Sequence, residues 1–339
     1  MSDWIRGLKS GPVIQVVQLI SFTVLIYIIA FNPYSIDMIF NKNSQAHDMW
    51  AGIARKYLTK KEFDLETFRR PGQLNSKLAS WEPKENSLRW YRSFLNLAFA
   101  SSSEFVKTTL FRINQKSGLG QVIVNETKYK GEKFKFNLDY LIAAEEFEYL
   151  KSYIPRGVNY NFLEIGAGFG RTAHVILEEL SQLKFYFIYD LPEMLSVSSL
   201  YLKNVLSPSL FQKLRFVSDI EEIRYQDFSV GIQIDGFQEM PTSVINEIYL
   251  KLLVNCNTIY LKNPVGKYLP QSAGLDVSLK SAPMNVGRSL KILDIWNTTE
   301  TESLQLEHAE IYKPHSHRIV DFAPERLFPH YLNVIYQKP

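Results

Sequence analysis

The stretch NFLEIGAGFGRTAHVIL, Asn161 to Leu177, decides the fold. An apolar hexapeptide leads through three glycines, Gly166, Gly168 and Gly170, into a segment with helical spacing. Strand, glycine turn and helix in that order form the first unit of an open α/β sheet, where ligands meet the carboxyl ends of the strands. A phosphate loop would need Lys and then Ser or Thr after the glycines, and neither is there. A dinucleotide turn needs Gly or Ala at the sixth position, where this chain has Arg171, too bulky for close helix–strand packing. Glu164, two residues before Gly166, is expected at the strand end, where a carboxylate repels pyrophosphate and suits a cationic ligand without phosphate. S-adenosylmethionine, with its ammonium and sulfonium, is such a ligand.

Outward from this turn the chain alternates. KFYFIYD, LRFVSD, SVGIQID and NTIYLKN read as strands, and RTAHVILEELSQL, PEMLSVSSLYLKNVL and TSVINEIYLKLLV as helices, the second with Pro192 in its first turn. HYLNVIYQKP supplies a last strand. This alternation predicts an α/β domain over residues 156–339, a doubly wound, mostly parallel sheet. Residues 35–155 read as a mainly helical N-terminal region on the acceptor side. Its clearest amphipathic helix is FNLDYLIAAEEFEYLKSYI, Phe136 to Ile154, stopped by Pro155.

Residues 1–34 form an apolar N-terminal segment. Within it, Val13 to Phe31 is 19 residues without a charge, close to the roughly 20 that span a bilayer. It reads as a membrane anchor or as a buried helix. Lys42, Arg55, Lys56, Lys60 and Lys61 follow it and favour retention of what comes next on the cytoplasmic side. The expected place of work is therefore the cytoplasm, attached to the membrane face if the segment anchors.

The 339 residues carry a formal net charge of +3, too little to draw nucleic acid by field alone. One cysteine, Cys256, in the apolar setting VNCNTIYL, excludes an internal disulfide framework and reads as a core residue.

Site candidates follow from the strand ends. Asp190 closes the second strand about twenty residues past the glycines, where a carboxylate takes both hydroxyls of a ribose. Asp219 ends the third strand and reads as an adenine contact or as an N-cap before IEEI. Asp235 ends the fourth, at the edge where a transferred methyl would lie. It reads as general base, metal ligand, grip on an ammonium, or turn residue before Gly236. Glu239 reads as base, as orienter of an acceptor hydroxyl, or as a helix-start carboxylate. Asp235 and Glu239 also admit a divalent metal, which two carboxylates alone do not establish. Lys262 and Asn263 end the fifth strand and face the same cleft, Tyr268 offers a ring for stacking a sugar, and His315 or His317 an acceptor-pocket wall. His174 and His330 read as structural.

LEIGAGFGRTA together with YDLP resembles motifs I and II of the class I S-adenosylmethionine-dependent methyltransferases. QIDGFQEMP, YLKNPVGKY, LFPHYLNVIYQKP and FNLDYLIAAEEFEYL resemble a sugar O-methyltransferase family of bacterial surface-glycan clusters. The resemblance implies a Rossmann-like fold and S-adenosylmethionine held by Glu164, Gly166, Ala167, Gly168, Gly170, Asp190, Leu191 and Asp219. It further implies O-methylation of a sugar or lipid-linked glycan with Asp235 or Glu239 taking the proton. Another small-molecule acceptor and a degenerate binding subunit are the alternatives.

Overall fold

A computed structural model describes residues 83–113, 124–155, 157, 159–268 and 286–339. The apolar stretch Val13–Phe31 lies outside the described residues. Among the described residues no helix is long and apolar enough to cross a membrane.

The centre is a seven-stranded sheet. Its strands are β3 (Tyr160–Ile165), β4 (Leu183–Tyr189), β5 (Leu214–Val217), β6 (Phe228–Ile234), β7 (Cys256–Pro264), β10 (Arg318–Pro324) and β11 (Tyr331–Gln337). They lie in the order β10-β11-β7-β6-β3-β4-β5. All neighbours from β5 to β7 are parallel, whereas β11 is antiparallel to both β7 and β10. The strand order turns back between β3 and β6, the switch point where an open α/β sheet gapes and binds ligands.

Helices cover both faces. These are α1 (Pro83–Ser101), α2 (Glu104–Ile113), α3 (Leu138–Lys151), α4 (Arg171–Glu179), α5 (Pro192–Val205), α6 (Pro208–Phe211), α7 (Thr242–Lys251), α8 (Thr298–Ser303) and α9 (Gln305–Ile311). Successive residues of a strand point to opposite faces, so β3 feeds two cores. Phe162 packs with Leu141, Ile176 and Leu202 on one side. Leu163 and Ile165 pack with Ile245, Leu253 and Leu261 on the other. Burial on both faces is what the uninterrupted apolar run of a parallel strand encodes.

The change of texture at residue 156 is not a change of core, because residues from Leu88 on form one compact unit. Within it α3 starts where Asn137 caps it, the side chain accepting the Tyr140 N–H at 3.0 Å. The mainly helical expectation for residues 35–155 missed one feature, a hairpin of β1 (Asn125–Tyr129) and β2 (Glu132–Phe136). Lys130 and Gly131 join the strands with φ of 50° and 89°, the two-residue turn whose twist matches a hairpin. β10 was missed as well. Its alternating burial is weak, as expected for the sheet's outer strand. A short parallel pair, β8 (Lys267–Tyr268) with β9 (Ile292–Leu293), completes the description.

Candidate active site

The glycine turn leaves β3 at the switch point. Gly166, Gly168 and Gly170 all have left-handed φ, 74°, 57° and 96°, which explains three glycines in five residues. Gly170 is doubly constrained, since a Cβ there would lie 2.8 Å from Leu202 Cδ1 of α5. Gly168, by contrast, faces open space with nothing within 4 Å of a built Cβ. Ala167, between Gly166 and Gly168, is buried.

Asp190 sits directly across the turn. Its Oδ2 accepts the Gly168 N–H at 3.3 Å and its Oδ1 the Leu191 N–H at 2.8 Å. The two backbone donors fix the carboxylate and leave lone pairs on both oxygens for a ligand's hydroxyls. Beside it Leu191 is 67% exposed, an apolar side chain open to a planar ring. Asp219 caps the 3-10 turn Ile220–Glu222, its Oδ1 accepting the Glu221 N–H at 2.9 Å, so the capping role is the one observed.

Glu164 stands one residue before the strand end, 3% exposed, close enough to Arg171, Glu146 and Asp190 for their charges to act on it. Tyr186 donates to its Oε2 at 2.8 Å. Burial pushes its pKa up to about 7, against the opposing pull of the Tyr186 hydroxyl and Arg171. A carboxyl raised in the fold binds its proton more tightly folded than unfolded, so its contribution to stability falls as pH climbs from about 4.5 to 7. Glu164→Gln keeps the acceptor for Tyr186 and cannot ionise. We expect it to gain up to about 3 kcal/mol of stability relative to wild type between pH 5 and pH 8, read by urea unfolding at both. Equal differences at the two pH values would show that the carboxyl ionises freely in the fold.

The ligand side continues along β6. Ile165 pairs with Gln233, so Asp235, two residues on, lies level with the glycine turn one strand over. Asp235 has φ of 58°, a left-handed backbone at a non-glycine residue and a recurrent feature of functional turns. Its N–H donates to the Lys262 carbonyl at 2.7 Å, and Tyr331 donates to its Oδ1 at 3.0 Å. The residue is open to solvent, yet the protein crowded around its carboxyl raises the pKa to about 6 by desolvation, helped by Glu239 and resisted by Tyr331, Lys262 and Arg171.

Asp235 lines a cavity of about 710 Å³. Phe94, Tyr268, Trp296, Phe328, His330 and Tyr331 wall it, and Arg171 and Lys262 line it beside Asp235. Lys262 is buried and bonds Glu146 Oε1 at 2.9 Å, the atom that Arg171 reaches at 3.1 Å. Arg171 also donates to the Asp139 carbonyl at 2.9 Å. The bulky cation at the sixth position thus turns away from the glycine turn into α3, where a carboxylate neutralises it.

Other expectations change here. Glu239 is exposed in the turn before α7, which begins only at Thr242, so it is no helix-start residue and does not line the cavity. It acts on Asp235, Tyr268 and Tyr331 through space, raising each pKa. Asn263 is buried, its amide paired with that of Gln233 at 2.8 Å, and stiffens the β6–β7 ends. His330, read as structural, lines the cavity, with its ring 4.9 Å from Tyr331 and 6.0 Å from Tyr268. Burial lowers its pKa, so it is neutral at pH 7. His317 bonds the Cys256 carbonyl at 2.9 Å, at the start of β7 and so at the opposite end of the sheet, and His315 is exposed. Neither builds the cavity. His174 is buried against the Tyr140 hydroxyl at 2.6 Å, and Cys256 is a core residue. Among the described residues no three His, Cys, Asp or Glu side chains converge as a metal-binding group. Glu146 and Tyr331 escaped the sequence reading. Tyr331 had a signal, the first position of the last strand, but only β11's reversed direction makes that strand start at the cleft.

No protein family and no curated protein matches the chain. Solved structures do. The mitomycin 7-O-methyltransferase MmcR aligns at 12% identity and a TM-score of 0.40, over 59% of this chain and 56% of that one. The methyltransferase domain of bacterial CtHen1 aligns at 13% and 0.41, over 59% and 100%. The glycopeptide N-methyltransferase MtfA, complexed with S-adenosylmethionine, aligns at 12% and 0.40, over 58% and 94%. The chain spans little more than half the length of the first of these. By its own strand order, the reversed β11 and the glycine turn at the switch point, the sheet has the Rossmann-like fold of the class I S-adenosylmethionine-dependent methyltransferases.

Proposed function

We propose that this protein is an S-adenosylmethionine-dependent O-methyltransferase whose acceptor is a sugar hydroxyl. One observation carries the reading. A carboxylate of raised pKa, oriented by a tyrosine hydroxyl, stands between the glycine turn and an aromatic cavity.

The turn suits this cofactor on its own chemistry. Gly168 opens backbone to a ligand, Asp190 presents acceptors to ribose hydroxyls, and Leu191 offers an apolar face. The neighbouring cation, Arg171, is already committed to Asp139 and Glu146 instead of awaiting a phosphate. S-adenosylmethionine, when bound, supplies a methyl already activated as a sulfonium. The chain then has to aim an acceptor hydroxyl in line and remove its proton as it attacks. Asp235 is placed for the proton, and Tyr331 holds its Oδ1 so that Oδ2 faces the acceptor. Tyr268, Phe328 and Trp296 give ring faces on which a pyranose stacks, and the same wall keeps water from competing.

The test is product chemistry. The full-length chain is incubated with methyl-labelled S-adenosylmethionine and a panel of saccharides, amines and phenols. The reading expects label in a base-stable methyl ether of a saccharide. Label on nitrogen or on a phenol moves the acceptor to another class.

A further inference from the structure

A second chamber of about 380 Å³ lies on the far side of Ile142 and Lys262, which line both cavities. Its size falls in the range of ligand pockets, ~300–1,000 Å³. Where the first chamber is walled mainly by rings, this one also carries hydroxyls, carboxylates, a guanidinium and an amide: Ser101, Ser103, Glu145, Glu146, Arg326 and Asn333.

Two of these carboxylates are half used. Glu146, 3% exposed, spends Oε1 on both Arg171 and Lys262, while its Oε2 is buried without a hydrogen-bond partner. Glu145, its neighbour on α3, repeats the pattern. Its Oε1 accepts from Ser102 Oγ at 3.0 Å and Arg326 Nε at 3.1 Å, and its Oε2 has no partner. Buried acceptors are nearly always paired, and an orphan carries the full cost of its desolvation. Two orphans on consecutive residues that line one cavity indicate donors arriving from outside the chain. Both carboxylates are already matched by cations, Glu145 by Arg326 and Glu146 by Arg171 and Lys262 together, with one positive charge in excess. The donors called for are therefore neutral hydroxyls, not ammonium groups.

We propose that the second chamber is a subsite for the sugar unit adjoining the one that is methylated, so that the acceptor is at least a disaccharide; this rests on the sugar reading above. The methylated unit stacks in the aromatic chamber beside Asp235. The adjoining unit passes Ile142 and Lys262 and gives its hydroxyls to the free oxygens of Glu145 and Glu146. The division matches the chemistry of a pyranose, whose ring faces are apolar and whose rim is a series of donors.

The experiment probes an array of monosaccharides and their oligomers with labelled full-length chain. Wild type, Ala323→Trp and Ser101→Trp are compared. Both substitutions fill the second chamber from its edge and leave the glycine turn and Asp235 alone. The expected result is signal on oligomers about tenfold or more above their monosaccharides, a gain of two or so hydrogen bonds. Both variants should fall to the monosaccharide level while titrating S-adenosylmethionine as wild type does, which also certifies their fold. Equal signals on monomers and oligomers overturn the subsite alone, as does either variant that binds S-adenosylmethionine and keeps the oligomer signal. No signal on any saccharide overturns the sugar reading and the subsite with it. A preference for amino sugars over neutral oligomers would replace the hydroxyl assignment with an ammonium one.

Discussion

On the proposed function, Asp235→Asn is expected to lower the turnover of methyl transfer by about 10²- to 10⁴-fold, the usual contribution of a positioned general base. Asparagine keeps the shape and can still accept the Tyr331 hydroxyl, but it cannot take a proton, so S-adenosylmethionine binding stays at the wild-type level. The wild-type pH profile carries the same information. Desolvation places the carboxyl's pKa at about 6. In the proposed role the carboxyl works only when ionised, so the rate is expected to climb as pH rises through about 6 and to level off above 7. In the Asn variant that limb disappears. His330 is the other cavity group able to accept a proton, and burial holds its pKa below the ordinary histidine value. An Asp235→Asn enzyme that keeps its turnover, paired with a His330→Asn enzyme that loses it, would transfer the role to the histidine. Measured with any acceptor the wild type methylates, the two profiles decide the matter.

Asp190→Ala is expected to weaken S-adenosylmethionine and its demethylated product by roughly 10²- to 10⁴-fold, the loss of two hydrogen bonds to a charged acceptor. The carboxylate is held against Gly168 and Leu191 by their N–H groups, so its removal also frees the loop it pins. Calorimetric titration of the full chain reads the effect directly, with NAD as the comparison ligand. NAD should give no heat in either protein, because the loop's neighbouring cation is tied to Glu146 and Asp139. Tight NAD binding, or indifference of both sulfur ligands to the substitution, would mean the glycine turn serves another ligand.

These two residues were legible in the sequence because their placement is local. A strand, a turn and a helix are contiguous, so a carboxylate closing an apolar run arrives at the sheet's ligand edge whatever the rest of the chain does. The same locality explains why Gly166, Gly168 and Gly170 could be read as a backbone device before any φ angle was known. Glu164 shows where local reading stops, because the Tyr186 hydroxyl that it accepts, 22 positions on, is brought to it by the pairing of β3 with β4. The hairpin at Lys130-Gly131 had a local signal too, alternating strands around a two-residue turn, hidden among segments with helical spacing.

By itself, then, the sequence determined the alternating strands and helices, the glycine turn, Asp190 and Asp235. Each depends on periodicity or on a strand's end, quantities carried by neighbouring residues. Only the tertiary structure decided that β11 enters antiparallel between β7 and β10, bringing Tyr331 to Asp235 across 96 positions of chain. Only it brought Glu146 to Lys262, 116 positions apart, and made His330 a cavity wall. The reason is physical. An apolar pattern specifies that a face is buried, while the partner that buries it, and the direction in which a strand runs, are set by the packing of the whole sheet.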